Sequence, residues 1–342
     1  MQMKAVYFNS HGNPEVLKYG DVEEPKLNKG DAIIEIKYSS INRLDLLIRR
    51  GYPGINIPLP HIPGVDIYGK VIDIDDNNEI NPGDYVVANT VYGCGNCDFC
   101  LSGKENMCYT WKMIGFHING SHAEFVKVPS KTLLKVKGDG EKLGVSPLSL
   151  SVAWNAMVTV GKVKRDDFVL IYGGSGGVGT FAIQVAKLFK AKSIVTTRSD
   201  EKAKILRSIG ADYVINSSDE DILNKIMEIT DRKGVDIIID YIVNPTMQVS
   251  LDAAKINGKI IVFGFLGGNM FPINWQKFYL KNLRIYGIHN ASKLELKNAI
   301  KYVENNEIEP YISKTLRLEE VIDGHRIMEN NEIIGKLLVK ID

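Results

Sequence analysis

The chain has 342 residues, a length that suits about two domains, each able to bury its own core. Hydrophobic residues make up 44% and charged residues 24%, which excludes a disordered or fibrous chain. Lys and Arg number 42 against 41 Asp and Glu, a formal net charge of +1, so no global charge exists to neutralise nucleic-acid phosphates or anionic lipid.

No nucleic-acid partner and no membrane partner is therefore expected. The N-terminal MQMKAVYF has no charged leader followed by an apolar run, and no secretory signal is expected. Two uncharged stretches approach the length of a membrane span. Phe168–Ala186 carries five glycines and Leu143–Gly161 contains Pro147 and Asn155, so neither reads as a continuous apolar helix. The expected location is the cytoplasm.

In chain order, residues 1–150 read as short strands, among them Ala32–Tyr38, Ile67–Ile74, Tyr85–Ala88 and Glu124–Val128. Gly30-Asp31, Asn77-Asn78 and Pro82-Gly83-Asp84 punctuate them as turns. This predicts a β-rich, barrel-like domain. The pattern changes near Pro147. Phe168–Tyr172 is an apolar strand followed by a glycine cluster and a helix with Val178, Ala182, Val185, Ala186 and Phe189 on one face. Further strands are expected at Ser193–Thr197, Tyr213–Ile215, Val235–Ile239, Lys259–Phe263 and Arg284–Ile288, with helices between most of them. That alternation is the signature of an α/β domain with a parallel sheet over 151–289. Gly335–Ile341 reads as a strand returning to the first domain, which then comprises 1–150 together with 290–342.

The glycine cluster runs Gly173-Gly174-Ser175-Gly176-Gly177-Val178-Gly179, with Gly174, Gly176 and Gly179 in G-x-G-x-x-G register. After a strand and before a helix, this spacing permits a tight turn, a close approach to a pyrophosphate, and tight helix–sheet packing. The helix N-terminus then offers free N–H groups to the anion. The first glycine is expected to make the tight turn.

A site for NAD usually carries Asp or Glu at the end of the next strand. This chain has Thr196-Thr197-Arg198-Ser199 there, with Asp200 only after the run. Arg198 with the hydroxyls of Thr197 and Ser199 suits a 2′-phosphate, so the expected coenzyme is NADPH, with Lys202 in the following helix also near it.

All four cysteines fall within fifteen residues, as Cys94, Cys97, Cys100 and Cys108. Four thiolates close a tetrahedral zinc site without an open position, so such a zinc stabilises a lobe and does not catalyse. Two disulfides or an iron–sulfur cluster are the alternatives; the first suits a reducing compartment poorly. Gly93, Gly95 and Gly103 favour a small zinc lobe over 93–108, hence one structural zinc per chain.

These residues together resemble the medium-chain dehydrogenase/reductase superfamily, which includes zinc alcohol dehydrogenases and quinone oxidoreductases. The resemblance covers essentially the whole chain. It implies a GroES-like β-rich domain, a Rossmann domain with a doubly wound parallel sheet, coenzyme in the cleft between them, and a homodimer or homotetramer. The cysteine lobe is similar to that of the zinc alcohol dehydrogenases. Their C-x-x-D motif corresponds here to Asn42-Arg43-Leu44-Asp45, and their G-H-E motif to Gly64-Val65-Asp66. A third ligand, commonly Cys, would fall near Leu148. Val and Leu cannot coordinate a metal and an amide oxygen is a poor zinc ligand, so no catalytic zinc is expected.

N-x-x-D followed by Ile48-Arg49-Arg50-Gly51-Tyr52 resembles instead the zinc-free quinone oxidoreductases. The expected reaction is hydride transfer from NADPH to a small-molecule substrate, a quinone or the activated C=C bond of an α,β-unsaturated carbonyl. Asn42 is expected to donate its amide to the developing oxyanion and Tyr52 its hydroxyl. Asp45 and Asp66 could form a carboxylate pair, although fixing local structure is the plainer role for each. Among His61, His117 and His122, His117 is preferred as proton donor. Two rival readings exist: an alcohol dehydrogenase recruiting zinc through Asp66, His61 and His117, and an NADPH-binding protein without turnover.

Overall fold

In a computed structural model, residues 1–75 and 79–341 are described. The expected turn at Asn77-Asn78 lies outside them. The chain divides into two compact units, Met1–Ser151 with Ala291–Asp342, and Val152–Asn290.

The first unit is built on Asp31–Ile41, a long strand whose alternating buried residues Ala32, Ile34 and Ile36 face its core. It pairs antiparallel with Tyr68–Ile74, Phe125–Pro129 and the C-terminal Lys336–Lys340. Tyr85–Ala88, Leu133–Lys135 and Ile312–Arg317 complete a seven-stranded sheet. A hairpin of Gln2–Phe8 and Leu17–Glu23 forms a separate small sheet, and Val91–Tyr92 pairs with Lys112–Met113 beside the cysteines. The strand expected to return from the C-terminus does so, pairing Leu338 with Ser40 and Leu337 with Ile41.

The second unit is a six-stranded, wholly parallel sheet. Its spatial order is Tyr213–Asn216, Lys192–Thr197, Phe168–Ile171, Val235–Ile239, Ala254–Val262, Arg284–Gly287. Numbered along the chain this is 3-2-1-4-5-6, the doubly wound order in which ligands sit at the carboxyl end of the first strand, where the winding reverses. Its central strands are apolar on both faces because helices cover both: Val169, Leu170, Ile171, Ile237, Ile238 and Ile239 are all buried.

The helix after the glycines, Gly177–Leu188, was expected to bury one face. Every residue from Gly179 to Ala186 is buried, while Val178 and Phe189 at its ends are half-buried. Among the described residues, no helix is long and apolar enough to cross a membrane.

Candidate active site

The glycine loop leaves the Phe168–Ile171 strand at the switch point. Here the structure corrects the expected glycine roles. The left-handed turn is made by Gly173 (φ 58°), one residue before Gly174. Gly174 is needed for proximity: a Cβ there would lie 1.9 Å from Val195 Cγ1 of the adjacent strand. A Cβ on Gly179 would lie 2.7 Å from Gly174 Cα, so the third glycine lets the helix approach the loop, as expected. Gly176 is the N-cap of Gly177–Leu188 and supplies no capping side chain, which leaves first-turn N–H groups for an anion. Ser175, Gly177 and Val178 line the same turn, partly exposed. Tyr241 donates its hydroxyl to Gly173 O at 2.8 Å and stacks on Phe263, which fixes the turn.

At the end of the next strand the four expected residues divide by role. Thr197 Oγ1 is buried without a hydrogen-bond partner, an orphaned polar atom of the sort that a bound ribose or phosphate would satisfy. Arg198 is exposed. Ser199 is the N-cap of Asp200–Ile209 and accepts from Lys202 N at 3.4 Å, so its hydroxyl serves the helix, and Lys202 sits half-buried in the first turn. Asp200, the nearest acid, accepts from Asn216 Nδ2 at 2.9 Å. Glycine loop, open helix end and orphaned hydroxyl together fit a dinucleotide.

In the first unit, the thiol sulfurs of Cys94, Cys97, Cys100 and Cys108 all lie within 4.8 Å of one another. Cys97 caps the short Asp98–Leu101 helix, and the turn at Glu105–Met107 brings Cys108 back to it. Burial works against ionisation of Cys108. Backbone N–H groups of Cys94 and Thr110 nevertheless point at its sulfur at 3.3 and 3.4 Å, and hold the thiol down at about 6. Four convergent sulfurs, one already favoured as thiolate, fit a tetrahedral structural zinc.

The positions matching a catalytic metal's ligands also converge, but on a different chemistry. Asp66 is fully buried and both oxygens are engaged. Oδ1 accepts from Leu148 N at 2.7 Å. Oδ2 accepts from Ser40 Oγ, from Asn42 Nδ2 at 2.9 Å and from Lys336 Nζ at 3.1 Å. Lys336 Nζ also donates to Asn42 Oδ1 and to Ser149 Oγ at 3.3 Å. With Val65 and Leu148 apolar and Asp66 saturated, this pocket does not fit a catalytic zinc.

Asn42 therefore stands elsewhere than expected in function: its amide donates to Asp66, and to Ser40 Oγ at 3.4 Å, inside this network. Asp45 is a cap. Its Oδ2 accepts from Asn42 N at 2.7 Å and its Oδ1 from Gly64 N at 3.1 Å, fixing the start of Arg43–Arg50. Burial pushes its carboxyl up to about 7 against the pull of those two N–H groups.

Tyr52 and His117 are brought together around Phe116, at ring separations of 5.3 and 4.8 Å, with Trp111 against His117 at 5.0 Å. His117 Nδ1 accepts from Met113 N at 3.1 Å, which leaves Nε2 as the protonated, donating nitrogen of the neutral ring. His61 is buried and bonded to Gly115 O at 2.9 Å. The zinc set Asp66, His61 and His117 is not assembled. Among the described residues, only the four cysteines form a group of three or more side chains close enough to hold a metal.

Sequence reading missed Lys336, Ser149, Ser40 and Tyr241. The available signal for Lys336 was its place at the head of a strand, Lys336–Lys340, that is apolar on both faces; a lysine there must be buried and therefore paired.

Residues 28–138 match the alcohol dehydrogenase GroES-like domain and residues 177–305 the zinc-binding dehydrogenase family. The chain is 30% identical, over 96% of its own length and 98% of the relative's, to the acryloyl-coenzyme A reductase of Sulfurisphaera tokodaii. It is 28% identical to an NAD-dependent alcohol dehydrogenase of Sulfolobus acidocaldarius, covering 99% of this chain and 100% of that one. A crystal structure of an NAD-dependent alcohol dehydrogenase superposes with a TM-score of 0.92 at 30% identity, over 99% of this chain and 100% of the other. With both units matched and a reductase similar over nearly its full length, the chain belongs to the zinc-type medium-chain dehydrogenase/reductase superfamily of alcohol dehydrogenase-like oxidoreductases.

Proposed function

We propose that the protein is an NADPH-dependent reductase acting on the activated C=C bond of α,β-unsaturated carbonyl compounds, thioesters among them, or on quinones, without a catalytic metal. The observation that carries this reading is the occupied Asp66 pocket. Its carboxylate is spent on Leu148 N, Ser40, Asn42 and Lys336, and among the described residues no set of metal ligands remains there to hold a Lewis acid against an alcohol oxygen. The similarity to an acryloyl-coenzyme A reductase supports the same choice of acceptor.

When bound, the coenzyme supplies the hydride. The loop Gly174–Gly179 and the first turn of Gly177–Leu188 bind its pyrophosphate through backbone N–H groups. Arg198 pairs with the 2′-phosphate, and Thr197 Oγ1 gains the partner it lacks. An enone or enoyl thioester delocalises the incoming charge onto its own carbonyl oxygen, so the protein needs only to orient it and offer donors. Tyr52 hydroxyl and His117 Nε2–H are the donors on the aromatic wall. Asn42, its amide engaged with Asp66, acts as a positioning residue. The four cysteines hold a structural zinc that takes no part in the chemistry. The active species is a homo-oligomer, and its location is the cytoplasm.

The test is coenzyme oxidation by the purified protein with enoyl thioesters, enones, quinones, aldehydes and, in reverse, alcohols. Turnover is expected with the first three and not with simple alcohols. Alcohol oxidation at comparable kcat/KM would overturn the reading.

A further inference from the structure

The three positions at which zinc-type relatives hold a catalytic metal are not simply stripped of ligands. Asn42 and the residues next to the other two, Asp66 and Ser149, converge on a different cation. Lys336 side chain is 2% exposed and its ammonium has three N–H donors. Each finds one oxygen: Asn42 Oδ1, Asp66 Oδ2 and Ser149 Oγ. Asn42 occupies the first ligand position. Asp66 follows Val65, the second, and donation from Leu148 N to Asp66 ties in the third.

The backbone sets this meeting. Lys336–Lys340 runs antiparallel to Asp31–Ile41 with Leu338 opposite Ser40 and Leu337 opposite Ile41. One further step in that register brings Lys336 against Asn42. Gly335, at φ 67°, turns the chain into the strand there.

We propose that the Lys336 ammonium is the resident cation of this pocket, standing where a metal stands in zinc-type relatives and keeping metal out. It neutralises the buried carboxylate of Asp66, uses the oxygens a metal would need, and repels a second cation from the same few ångströms. Lys336 is a positioning residue. It holds Asn42 and Ser149 in place and does not touch the reacting atoms. The inference rests on the metal-free reading above for its consequence, that the chain is committed to acceptors needing no Lewis acid, and its test does not use activity.

Ligands are restored by Asn42→Cys, Val65→His and Leu148→Cys together, once with Lys336 retained and once with Lys336→Ala. Zinc per chain is then measured by elemental analysis after exposure to zinc and desalting, with the unaltered protein as the reference for the cysteine lobe. One extra zinc per chain over that reference is expected only when Lys336 is removed. An extra zinc in both variants, or in neither, overturns the proposal.

Three changes at buried positions could prevent folding, so a second measurement uses the single variants. Lys336→Ala removes three methylenes and the ammonium, the outline of propylammonium. Its thermal midpoint should fall and be raised by added propylammonium, whereas the unaltered protein and Lys336→Met should show no such rise. Absence of rescue in the Ala variant, or equal rescue in the Met variant, overturns the claim that the slot selects a cation. Failure of enoyl thioester reduction by the unaltered protein would instead overturn the functional reading and leave these outcomes standing.

Discussion

At the scale of single residues, the proposed preference for NADPH turns on the sign of one charge. Arg198 ends the strand where NAD-binding relatives of the fold usually place an acid, and the nearest acid, Asp200, is tied to Asn216. Charge-assisted hydrogen bonds to a phosphate contribute about 1.5–3 kcal/mol each. Arg198→Ala should therefore raise KM for NADPH roughly tenfold to a hundredfold and leave KM for NADH nearly unchanged; an equal rise for both coenzymes would remove Arg198 from the 2′-phosphate. The glycine turn and the cysteine cluster were legible in the sequence because each motif is local, its members a few residues apart. The pairing of Lys336 with Asp66 was not. These residues are 270 positions apart, and only the antiparallel register of two strands from opposite ends of the first unit joins them. The same distance hid the engagement of the Asn42 amide, which made it resemble a donor for substrate.

At the scale of elements, legibility followed burial. Val235–Ile239 and Tyr85–Ala88 appear with the bounds their apolar runs suggest. The strand expected at Lys259–Phe263 stops at Val262 and is the second half of Ala254–Val262, whose first half carries exposed Lys255 and Asn257, the latter at φ 68°, and shows no strand pattern. Ile312–Arg317, exposed along most of its length, likewise offered no hydrophobic alternation. Among the described residues, Arg284–Gly287 ends the parallel sheet with one neighbour only, leaving an open edge. Close to it in sequence, Met270, Trp275 and Tyr279 are 80%, 67% and 63% exposed, large apolar side chains that a second copy could cover. Antiparallel pairing of that edge with a second copy would cover it isologously. Trp275→Glu with Tyr279→Glu should then reduce the mass measured by light scattering to that of one chain while thermal stability of the subunit is kept. An unchanged mass would place the contact elsewhere.

The molecule as a whole carries an unusual set of buried titratable groups in its first unit, and they make stability depend on pH in a defined direction. Burial holds His122 down at about 4, His61 below its ordinary value and His325 well below it. His325 Nδ1 lies 3.1 Å from Arg49 Nη1, a group that can only donate, so the ring must accept there and protonation would break the contact. Arg49 is itself buried and paired with Glu329. Unfolded, all three rings titrate near 6.5, so between about 4 and 6.5 the unfolded chain binds more protons at these sites than the folded one. Asp45 acts in the opposite sense. Its carboxyl, raised from 3.8 to about 7, keeps a proton in the folded state that the unfolded state has lost, and its contribution is present at low pH and lost as pH rises through 7. Three depressed histidines outweigh one raised carboxyl, so stability should fall as pH drops from about 6.5 toward 5. One proton is worth about 1.36 kcal/mol per pH unit. Replacing His325 by Gln keeps an acceptor for Arg49 but removes the titration. The fall in thermal midpoint between pH 7 and pH 5 should therefore be shallower in His325→Gln than in the unaltered protein. A midpoint that is level over this range, or equally steep in both, would mean these rings do not control the acid response.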